Sequence, residues 1–360
     1  MFQEFLEKYA LTDKKIAVGV SGGADSLGLL LMVHEELKPK GYRIVALTVD
    51  HGLRPSSADE AAYVKKIAER YGLEHHTLVW KGVKPAGGIE EAARVARYGL
   101  LEDWCEKNDV RYLMTAHHLY DQAETFLMRL YRGSGLDGLC GMKEVSKTGN
   151  IFILRPMLLT APDVFQKFLR SKNIQWIEDE SNEDENLLRV KMRKFLPLME
   201  EKAGISPLMI AQTMERLHSS RSYFENKIQA LVKNHFQKTG ENVFACNYRF
   251  FCGLDCEIAY RLMCFLIRQI GGADYQPEAQ KILRLIEKIK SDDFKAATLG
   301  HCQIKIFDSK LWLVREIKAG LTYTKKEWKD YLKEHMELKR KKIPAVVKKN
   351  LLLSSTKNHI

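Results

Sequence analysis

The chain has 360 residues, 45% hydrophobic and 29% charged, so it is long enough for two domains with sizeable cores and is not expected to be disordered. No apolar run approaches the ~18 residues that a membrane-spanning helix needs, which excludes a membrane-spanning protein. Seven cysteines without a CxxC pair, and an amino terminus without the features of a secretory signal, predict a cytoplasmic protein.

Positive charge is concentrated in the second part of the chain. Residues 1–200 contain 28 Lys and Arg against 29 Asp and Glu, whereas residues 201–360 contain 29 against 17. Clustered cations displace counterions from a phosphate backbone, so this asymmetry favours a polyanionic partner without identifying it. The alternative is that these lysines only keep the surface solvated.

The first part repeats a short apolar run followed by a longer amphipathic stretch. We predict strands at Ile16–Val20, Ile44–Val49, His75–Trp80 and Tyr112–Ala116. The helices predicted after them are Leu27–Leu37, Ala58–Tyr71, Ile89–Lys107 and Asp121–Tyr131. This alternation predicts an α/β fold with a doubly wound parallel sheet, in which ligands bind outside the carboxyl ends of the strands.

The alternation is lost after residue 145. We predict an edge strand at Ile151–Leu154, helices over 187–236 with a break near Gly204–Pro207, and a β-hairpin at Gln303–Val314. Further helical periodicity covers Cys256–Ile270 and Pro277–Ile289. The predicted organisation is a catalytic α/β domain at 1–210, a smaller mixed α+β domain at 211–324 and a basic tail at 325–360.

A glycine-containing loop, Ser21–Ser26 (SGGADS), lies between the first predicted strand and its helix. Glycines there let backbone N–H groups turn toward an anion, and the helix dipole adds partial positive charge. Asp25 would repel phosphate unless a divalent cation lies between them, so the loop predicts a phosphate site that uses Mg²⁺. The alternative is a plain turn in which Asp25 and Ser26 cap the helix.

Two acids follow the fourth strand in His117–Thr125 (HHLYDQAET). Asp121 and Glu124 are three residues apart at a helix start, and we predict that they hold a cationic substrate and accept its proton. Alternatively they only complement the helix dipole. A metal site built from His117 and His118 is not favoured, because no third ligand is suitably spaced.

A second glycine string, Gly133–Gly138 (GSGLDG), matches the dinucleotide fingerprint but follows a predicted helix instead of a strand. It therefore predicts a loop, which could close over a substrate, and not a dinucleotide site.

These motifs together resemble a known family. The segments Ser21–Ser26, Val49–Arg54, Ala92–Tyr98, His117–Thr125 and Arg132–Gly135 occur in the order and spacing of the tRNA(Ile)-lysidine synthases, which are N-type ATP pyrophosphatases. The resemblance is strong over about residues 14–200, and the segments Asp179–Asn182 and Arg189–Arg193 extend it. Tyr120 and Val190 depart from the family pattern.

The resemblance implies an adenine nucleotide alpha hydrolase-like fold and an ATP-dependent ligase. Such an enzyme joins free L-lysine to C2 of the wobble cytidine of the CAU-anticodon isoleucine tRNA through an adenylated intermediate. ATP and Mg²⁺ are the implied cofactors, no membrane is involved, and a homodimer is compatible with the sequence.

The resemblance also implies roles for particular residues. Catalysis is assigned to Asp25, Asp121, Glu124 and Arg97, with Asp25 also holding Mg²⁺ through the phosphates and the two acids of the fourth strand binding lysine. The implied ATP-binding residues are Ser21, Gly22, Gly23, Ala24, Asp25, Ser26 and His51. The implied tRNA or phosphate contacts are Arg132, Arg189 and Arg193.

Two other functions remain open at the level of sequence. A tRNA thiolase of the same superfamily also adenylates a pyrimidine but delivers sulfur through cysteines or an iron-sulfur cluster, and no CxxC occurs here. A non-catalytic RNA-binding relative could keep the fold, although Ser21, Asp25, Asp121 and Glu124 are all present.

Overall fold

The computed structural model describes residues 1–54, 56–82, 84–85, 87–178, 187–239, 242–272, 277–316, 325–334 and 343–357. The chain forms two compact units, Met1–His218 and Ser219–Ile360. The predicted Asp179–Asn182 motif and the run Lys339–Lys342 lie outside the described residues. Within the described ranges, no helix combines the length and apolar character that crossing a membrane requires.

The first unit alternates strands and helices over most of its length. In chain order it contains α1 (Phe2–Lys8), β1 (Lys15–Gly19), α2 (Ala24–Leu37), a 3₁₀ turn (Lys38–Lys40), β2 (Arg43–Asp50), α3 (Ser57–Arg70), β3 (Glu74–Val79), α4 (Ile89–Lys107), β4 (Tyr112–Met114), α5 (Leu119–Tyr131), α6 (Leu136–Leu139), β5 (Val145–Thr148), β6 (Ile151–Leu154), α7 (Asp163–Ser171) and α8 (Leu188–Ala203). A long helix, α9 (Pro207–His235), contains the boundary between the units.

Six strands form one sheet in the order β3-β2-β1-β4-β6-β5. All neighbours are parallel except β5, which pairs antiparallel with β6. The chain runs outward from β1 to β3 and then returns to place β4 on the other side of β1, so the strand order reverses between β1 and β4. The predicted doubly wound α/β fold is confirmed, and this reversal is where such sheets bind ligands.

Alternate residues of β1 and β2 enter two different cores. Ile16 and Val18 pack with α1, α2, α3 and α7 on one face of the sheet, whereas Ala17 and Val45 pack with α4 on the other. Because side chains in a strand alternate between faces, these continuously apolar strands are covered on both sides. The edge strand β3 is only half-buried.

The position predicted for Ile151–Leu154 is wrong in one respect. This strand is internal, because the preceding strand β5 folds back onto its outer side through a two-residue turn at Gly149 and Asn150. Gly149 has a φ of 54°, a conformation that glycine adopts without strain. The edge of the sheet is therefore the antiparallel strand β5.

The second unit is a mixed α+β fold. It contains the carboxyl-terminal part of α9, then β7 (Phe236–Lys238), β8 (Val243–Asn247), α10 (Tyr248–Cys252), α11 (Cys256–Gly271), α12 (Ala279–Lys290), β9 (Ala296–Leu299), β10 (Cys302–Phe307), β11 (Lys310–Arg315), α13 (Lys325–Glu334) and α14 (Ala345–Lys357). Its strands form an antiparallel sheet in the order β7-β8-β11-β10-β9, which includes the predicted hairpin.

The segment that sequence analysis separates as a basic tail contains two helices. Val347 and Leu351 of α14 are buried with Trp312 and Val314 of the sheet, and Trp328 of α13 packs against the same cluster. The spacing of four residues between Val347 and Leu351 places both on one helical face. These helices therefore belong to the core of the second unit.

Candidate active site

The candidate site lies at the carboxyl ends of β1 and β4, on either side of the reversal in strand order. Residues 20–23 link β1 to α2, and residues 115–118 link β4 to α5. The sequence places them there because each buried strand ends in small or polar residues that cannot continue the apolar core. Loops at this edge are exposed to a ligand while the sheet beneath them is rigid.

The loop after β1 has the geometry of an anion cradle. The backbone N–H of Ser21 donates to Ser26 Oγ at 3.0 Å, and the two hydroxyl oxygens are 3.1 Å apart. Gly22 has a φ of 93°, and a Cβ on it would lie 2.7 Å from Cδ1 of Ile177. Glycine at this position therefore satisfies both a backbone and a packing requirement.

A cavity of about 660 Å³ opens beside this loop. Its wall combines the glycine loop, the ends of β1, β2 and β4, and α4. The predicted site residues in the wall are Ser21, Gly23, Ala24, Asp25, Ser26, His51 and Arg97. The volume is within the range of sites that hold cofactors and other small molecules.

Arg97 supplies a half-buried guanidinium to the cavity wall. Burial lowers its pKa, and the neighbouring cations Arg94 and Arg189 lower it further, but a guanidinium keeps its charge at neutral pH. Among the described residues no carboxylate forms an ion pair with Arg97. An unpaired cation beside a helix amino terminus and a glycine loop makes this cavity suited to a phosphorylated ligand.

Two histidines of the cavity are held neutral. Burial lowers the pKa of His117 to about 3, with Arg155 and Arg97 adding to the effect, and its Nδ1 lies 2.9 Å from Thr115 Oγ1. Burial and the charge of Arg97 also lower the pKa of His51. Both rings can therefore contact a ligand without adding charge.

His118 connects the two loops of the site. It is the amino-terminal cap of α5: its backbone N–H donates to Asp121 Oδ2 at 3.0 Å, and the backbone N–H of Asp121 faces its Nδ1 at a longer 3.4 Å. Its Nε2 lies 3.5 Å from both Asp25 Oδ2 and Asp121 Oδ2. Burial lowers the pKa of His118, but the hydrogen bond with Asp25 and the charge of Asp121 outweigh it, so the net pKa is raised. An imidazolium has protons on both nitrogens, so protonation replaces the long Nδ1 contact.

Asp121 is a mostly buried carboxylate at the start of α5. Burial raises its pKa, but the surrounding cationic groups, His118 first, and the His118 backbone N–H bring the net pKa below the ordinary value. Its Oδ1 lies 3.8 Å from Arg189 Nη2, beyond hydrogen-bonding distance. Asp121 is therefore an ionised acceptor with one oxygen that is not strongly engaged.

Glu124 is fully buried and is surrounded by two guanidiniums of α8. Arg193 Nε donates to Glu124 Oε1 at 2.7 Å, and Arg189 Nε lies 2.9 Å from Glu124 Oε2. The Arg189 N–H is not aligned for a hydrogen bond, and this contact is better described as an ion pair. Three predicted site residues are thus brought together, and Glu124 is the residue on which α8 is anchored.

The remaining predictions have mixed outcomes in the geometry. Asp121, Glu124, Arg189 and Arg193 form a cluster next to the cavity, whereas Arg132 is at the other end of α5, roughly 16 Å along the helix from Asp121. Gly22 supports the loop without lining the cavity among the described residues.

Sequence reasoning missed a strap that crosses the glycine loop. The backbone N–H of Ile177 donates to Gly22 O at 3.0 Å, and Tyr63 Oη donates to Gln175 O at 2.7 Å. Trp176 and Glu178 of this strap also line the cavity. No local motif marks the strap, because its position depends on a long-range backbone contact.

The donor set of the cavity fits Mg²⁺ bound together with a phosphorylated ligand. Within the described residues, no group of three or more His, Cys, Asp or Glu side chains could hold a metal ion alone. Mg²⁺ is ordinarily bound by one or two carboxylates together with substrate phosphates and water. Asp25, which is part exposed in the cavity, meets that requirement.

The fold and site define the class of PP-loop nucleotide-binding proteins. A PP-loop domain of the kind described as ATP_bind_3 matches residues 1–199. The chain is 35% identical over 327 residues to the tRNA(Ile)-lysidine synthase of Wolbachia pipientis wMel, covering 88% of this chain and 74% of the relative. It is 34% identical over 316 residues to the tRNA(Ile)-lysidine synthase of Ruegeria pomeroyi, covering 86% and 73%. The chain belongs to the tRNA(Ile)-lysidine synthase family.

Solved structures support the fold alone. A U34-tRNA thiolase from Methanococcus maripaludis superposes with a TM-score of 0.50 at 20% identity, over 57% of this chain and 72% of that one. This likeness agrees with the α/β fold of the first unit and carries no information about the reaction.

Proposed function

We propose that this protein joins free L-lysine to C2 of the wobble cytidine of the CAU-anticodon isoleucine tRNA, converting ATP to AMP and pyrophosphate. The observation that carries the proposal is the placement of the Ser21–Ser26 cradle and the unpaired Arg97 in one cavity, beside the acid cluster of α5. Family membership supports the same reaction.

The first step requires activation of a poor electrophile. Oxide is a very poor leaving group, so the C2 oxygen of cytidine first attacks the α-phosphorus of ATP and pyrophosphate leaves. The glycine loop and the hydroxyls of Ser21 and Ser26 would hold the departing pyrophosphate, and Arg97 would face the α-phosphate. Asp25 would hold Mg²⁺ through the phosphates, and this ion neutralises charge that develops on them.

In the second step the lysine ε-amine attacks C2 and AMP leaves. A free lysine ammonium has a pKa near ~10.4, so a carboxylate must hold it and accept a proton before it can act as a nucleophile. We assign Asp121 and Glu124 to the lysine. Asp121 is the acceptor closer to the glycine loop, whereas Glu124 reaches an ammonium only after Arg189 or Arg193 moves from its carboxylate.

The second unit is proposed to hold the tRNA body. Residues 219–360 contain 27 Lys and Arg against 15 Asp and Glu, an excess that suits a polyanion. Lys325, Lys326 and Lys329 of α13 are exposed, and no described residue pairs with them. Replacing all three with alanine should weaken tRNA binding and reduce its salt dependence by up to about three phosphate contacts. An unchanged salt slope would remove α13 from the proposed surface.

Sulfur transfer is less well supported than lysine transfer. None of the described residues that line the cavity is a cysteine. Cys105 and Cys140 are buried, and burial raises the pKa of Cys105 to about 12, so this thiol stays protonated and unreactive.

The test is to incubate the protein with ATP, magnesium, isotopically labelled lysine and CAU-anticodon isoleucine tRNA. Mass spectrometry of the digested tRNA should find labelled lysine on the wobble cytidine, with AMP and pyrophosphate as products. Formation of ADP, incorporation of sulfur, or RNA binding without nucleotide cleavage would each contradict the proposal.

A further inference from the structure

Tyr131, the last residue of α5, has a side chain that the fold leaves uncovered. It is 73% exposed, the largest exposed fraction among the large apolar and aromatic side chains described. Among the described residues its ring has no aromatic, cationic or hydrogen-bonded partner. Neither the glycine loop nor the acid cluster uses it, so its exposure calls for a physical explanation.

The position of Tyr131 relates it to the site. Asp121, Glu124 and Tyr131 are separated by three and seven residues, a spacing that places all three on one face of a helix. At ~1.5 Å per residue, Tyr131 lies about 10 Å along α5 from Glu124 and about 15 Å from Asp121. Stacked nucleotides rise ~3.4 Å each, so the longer distance corresponds to about four stacked steps.

The backbone around Tyr131 is fixed. The backbone N–H groups of Gly133 and Ser134 donate to Leu130 O at 2.9 Å and to Arg129 O at 3.0 Å, and Arg129 Nη1 donates to Gly138 O. Gly133 has a φ of 67°, which allows the chain to turn immediately after the helix. The ring therefore projects from a rigid helix end, which is the arrangement of a stacking platform rather than of a mobile loop.

The charge beside the ring favours an anionic partner. Arg132 is exposed and adjoins Tyr131, and no described residue pairs with it. An aromatic face next to an unpaired guanidinium matches an unpaired base with its phosphate. In a twofold contact between two copies of the chain, the same arginine would meet its own symmetry mate, which is unfavourable.

We infer that Tyr131 is a stacking platform for an unpaired base of the anticodon loop, a few nucleotides from the wobble base, with Arg132 on the adjacent phosphate. This inference rests on the proposed function, since the wobble base must enter the cavity for α5 to run alongside the loop. It adds a positioning residue to the reaction, and the ring itself takes no part in the chemistry.

The test compares Tyr131→Ala and Tyr131→Trp in the full chain, using the anticodon stem-loop RNA with 2-aminopurine substituted in turn at each unpaired loop position except the wobble position. The alanine variant should bind the stem-loop about 5- to 100-fold more weakly and should lose fluorescence quenching at one position, whereas tryptophan should retain both. The matched control is Phe195→Ala, because Phe195 is 49% exposed on α8 and its spacing from Arg193 turns it away from Glu124.

Three results would overturn the inference. The first is equal RNA affinity for wild type and Tyr131→Ala while wild type forms lysidine, and the second is an equal loss in Phe195→Ala. The third is a Tyr131→Ala effect confined to self-association, measured by sedimentation, with RNA affinity unchanged. If wild type forms no lysidine and does not bind the stem-loop, the proposed function fails, and this outcome is distinct from the other three.

Discussion

Nε of Arg193 lies 2.7 Å from Oε1 of Glu124, so a fully buried carboxylate of α5 is neutralised by a guanidinium of α8. Ala123 and Leu127 of α5 are buried together with Leu196 of α8 around this pair. A buried charge must be paired, and the ion pair therefore fixes how α8 lies on α5 as firmly as the apolar contacts do. The same pair determines which acid of the cluster is open to a substrate.

Glu124→Gln should lower the free energy of unfolding. The substitution leaves Arg189 and Arg193 without a compensating charge. We expect a loss of about 2–3 kcal/mol, below the ~3–5 kcal/mol of a fully buried pair because both guanidiniums are part exposed. Urea denaturation measures it. The control is Glu225→Gln in the exposed Arg221–Glu225 pair, which should cost less than about 0.5 kcal/mol. Equal costs would mean that Glu124 does not anchor α8.

Asp121→Asn should abolish lysine incorporation and leave ATP binding largely intact. The asparagine oxygen can still accept the His118 N–H, so the cap of α5 is kept while the proton acceptor is lost. We expect lysine transfer to fall about 10²- to 10⁴-fold, measured with labelled lysine. ATP affinity measured by calorimetry serves as the second readout. A loss of ATP binding would contradict the assignment of Asp121 to lysine.

Glu36→Gln should reduce stability in a way that depends on pH. Glu36 accepts from the backbone N–H groups of Phe2 and Gln3, at 3.2 and 3.0 Å, at the start of α1. Burial raises the pKa of Glu36, but these hydrogen bonds and the terminal ammonium outweigh it, so the net pKa is lowered.

Because the folded pKa of Glu36 is depressed, its contribution is complete above the unfolded pKa of ~4.3 and is lost as the pH falls through the folded value. We expect wild type to exceed the variant by about 1–2 kcal/mol at neutral pH, the size of a helix cap, and the two to converge in acid. Urea midpoints across this range measure the difference. A gap that does not narrow in acid would show that the charge of Glu36 is not its source.

The sequence predicts the features that depend on local pattern. The strands beginning near Ile16 and Ile44 and the helix Ile89–Lys107 follow from periodicity, and the Ser21–Ser26 cradle follows from glycines between a strand and a helix. The role of β5 was not predictable, because its half-polar residues carry little strand signal and the hairpin with β6 defines it.

The contacts of the acid cluster were also beyond sequence reasoning. Glu124 and Arg193 are separated by 69 residues, and no local pattern specifies which carboxylate α8 contacts. Ile177 covers Gly22 across a similar gap in the chain. Long-range packing decides both contacts, so the sequence could nominate the residues but not their partners.

Arg97→Met should reduce nucleotide turnover without reducing stability. In the fold Arg97 has nearby cations, Arg94 and Arg189, and no carboxylate partner among the described residues, so removing its charge relieves repulsion. If the guanidinium faces the α-phosphate, its loss should lower ATP-dependent pyrophosphate release about 10²- to 10³-fold, the range for removing one donor aimed at developing charge. The control is Arg43→Met, because Arg43 pairs with Glu74 at the opposite end of β2 and should leave turnover unchanged. Thermal melting with and without ATP separates the two effects: the melting temperature of the free variant should equal or exceed that of wild type, and the increase on adding ATP should shrink. A destabilised Arg97→Met protein with normal turnover would assign Arg97 to the fold and leave the cavity without its cation for phosphate.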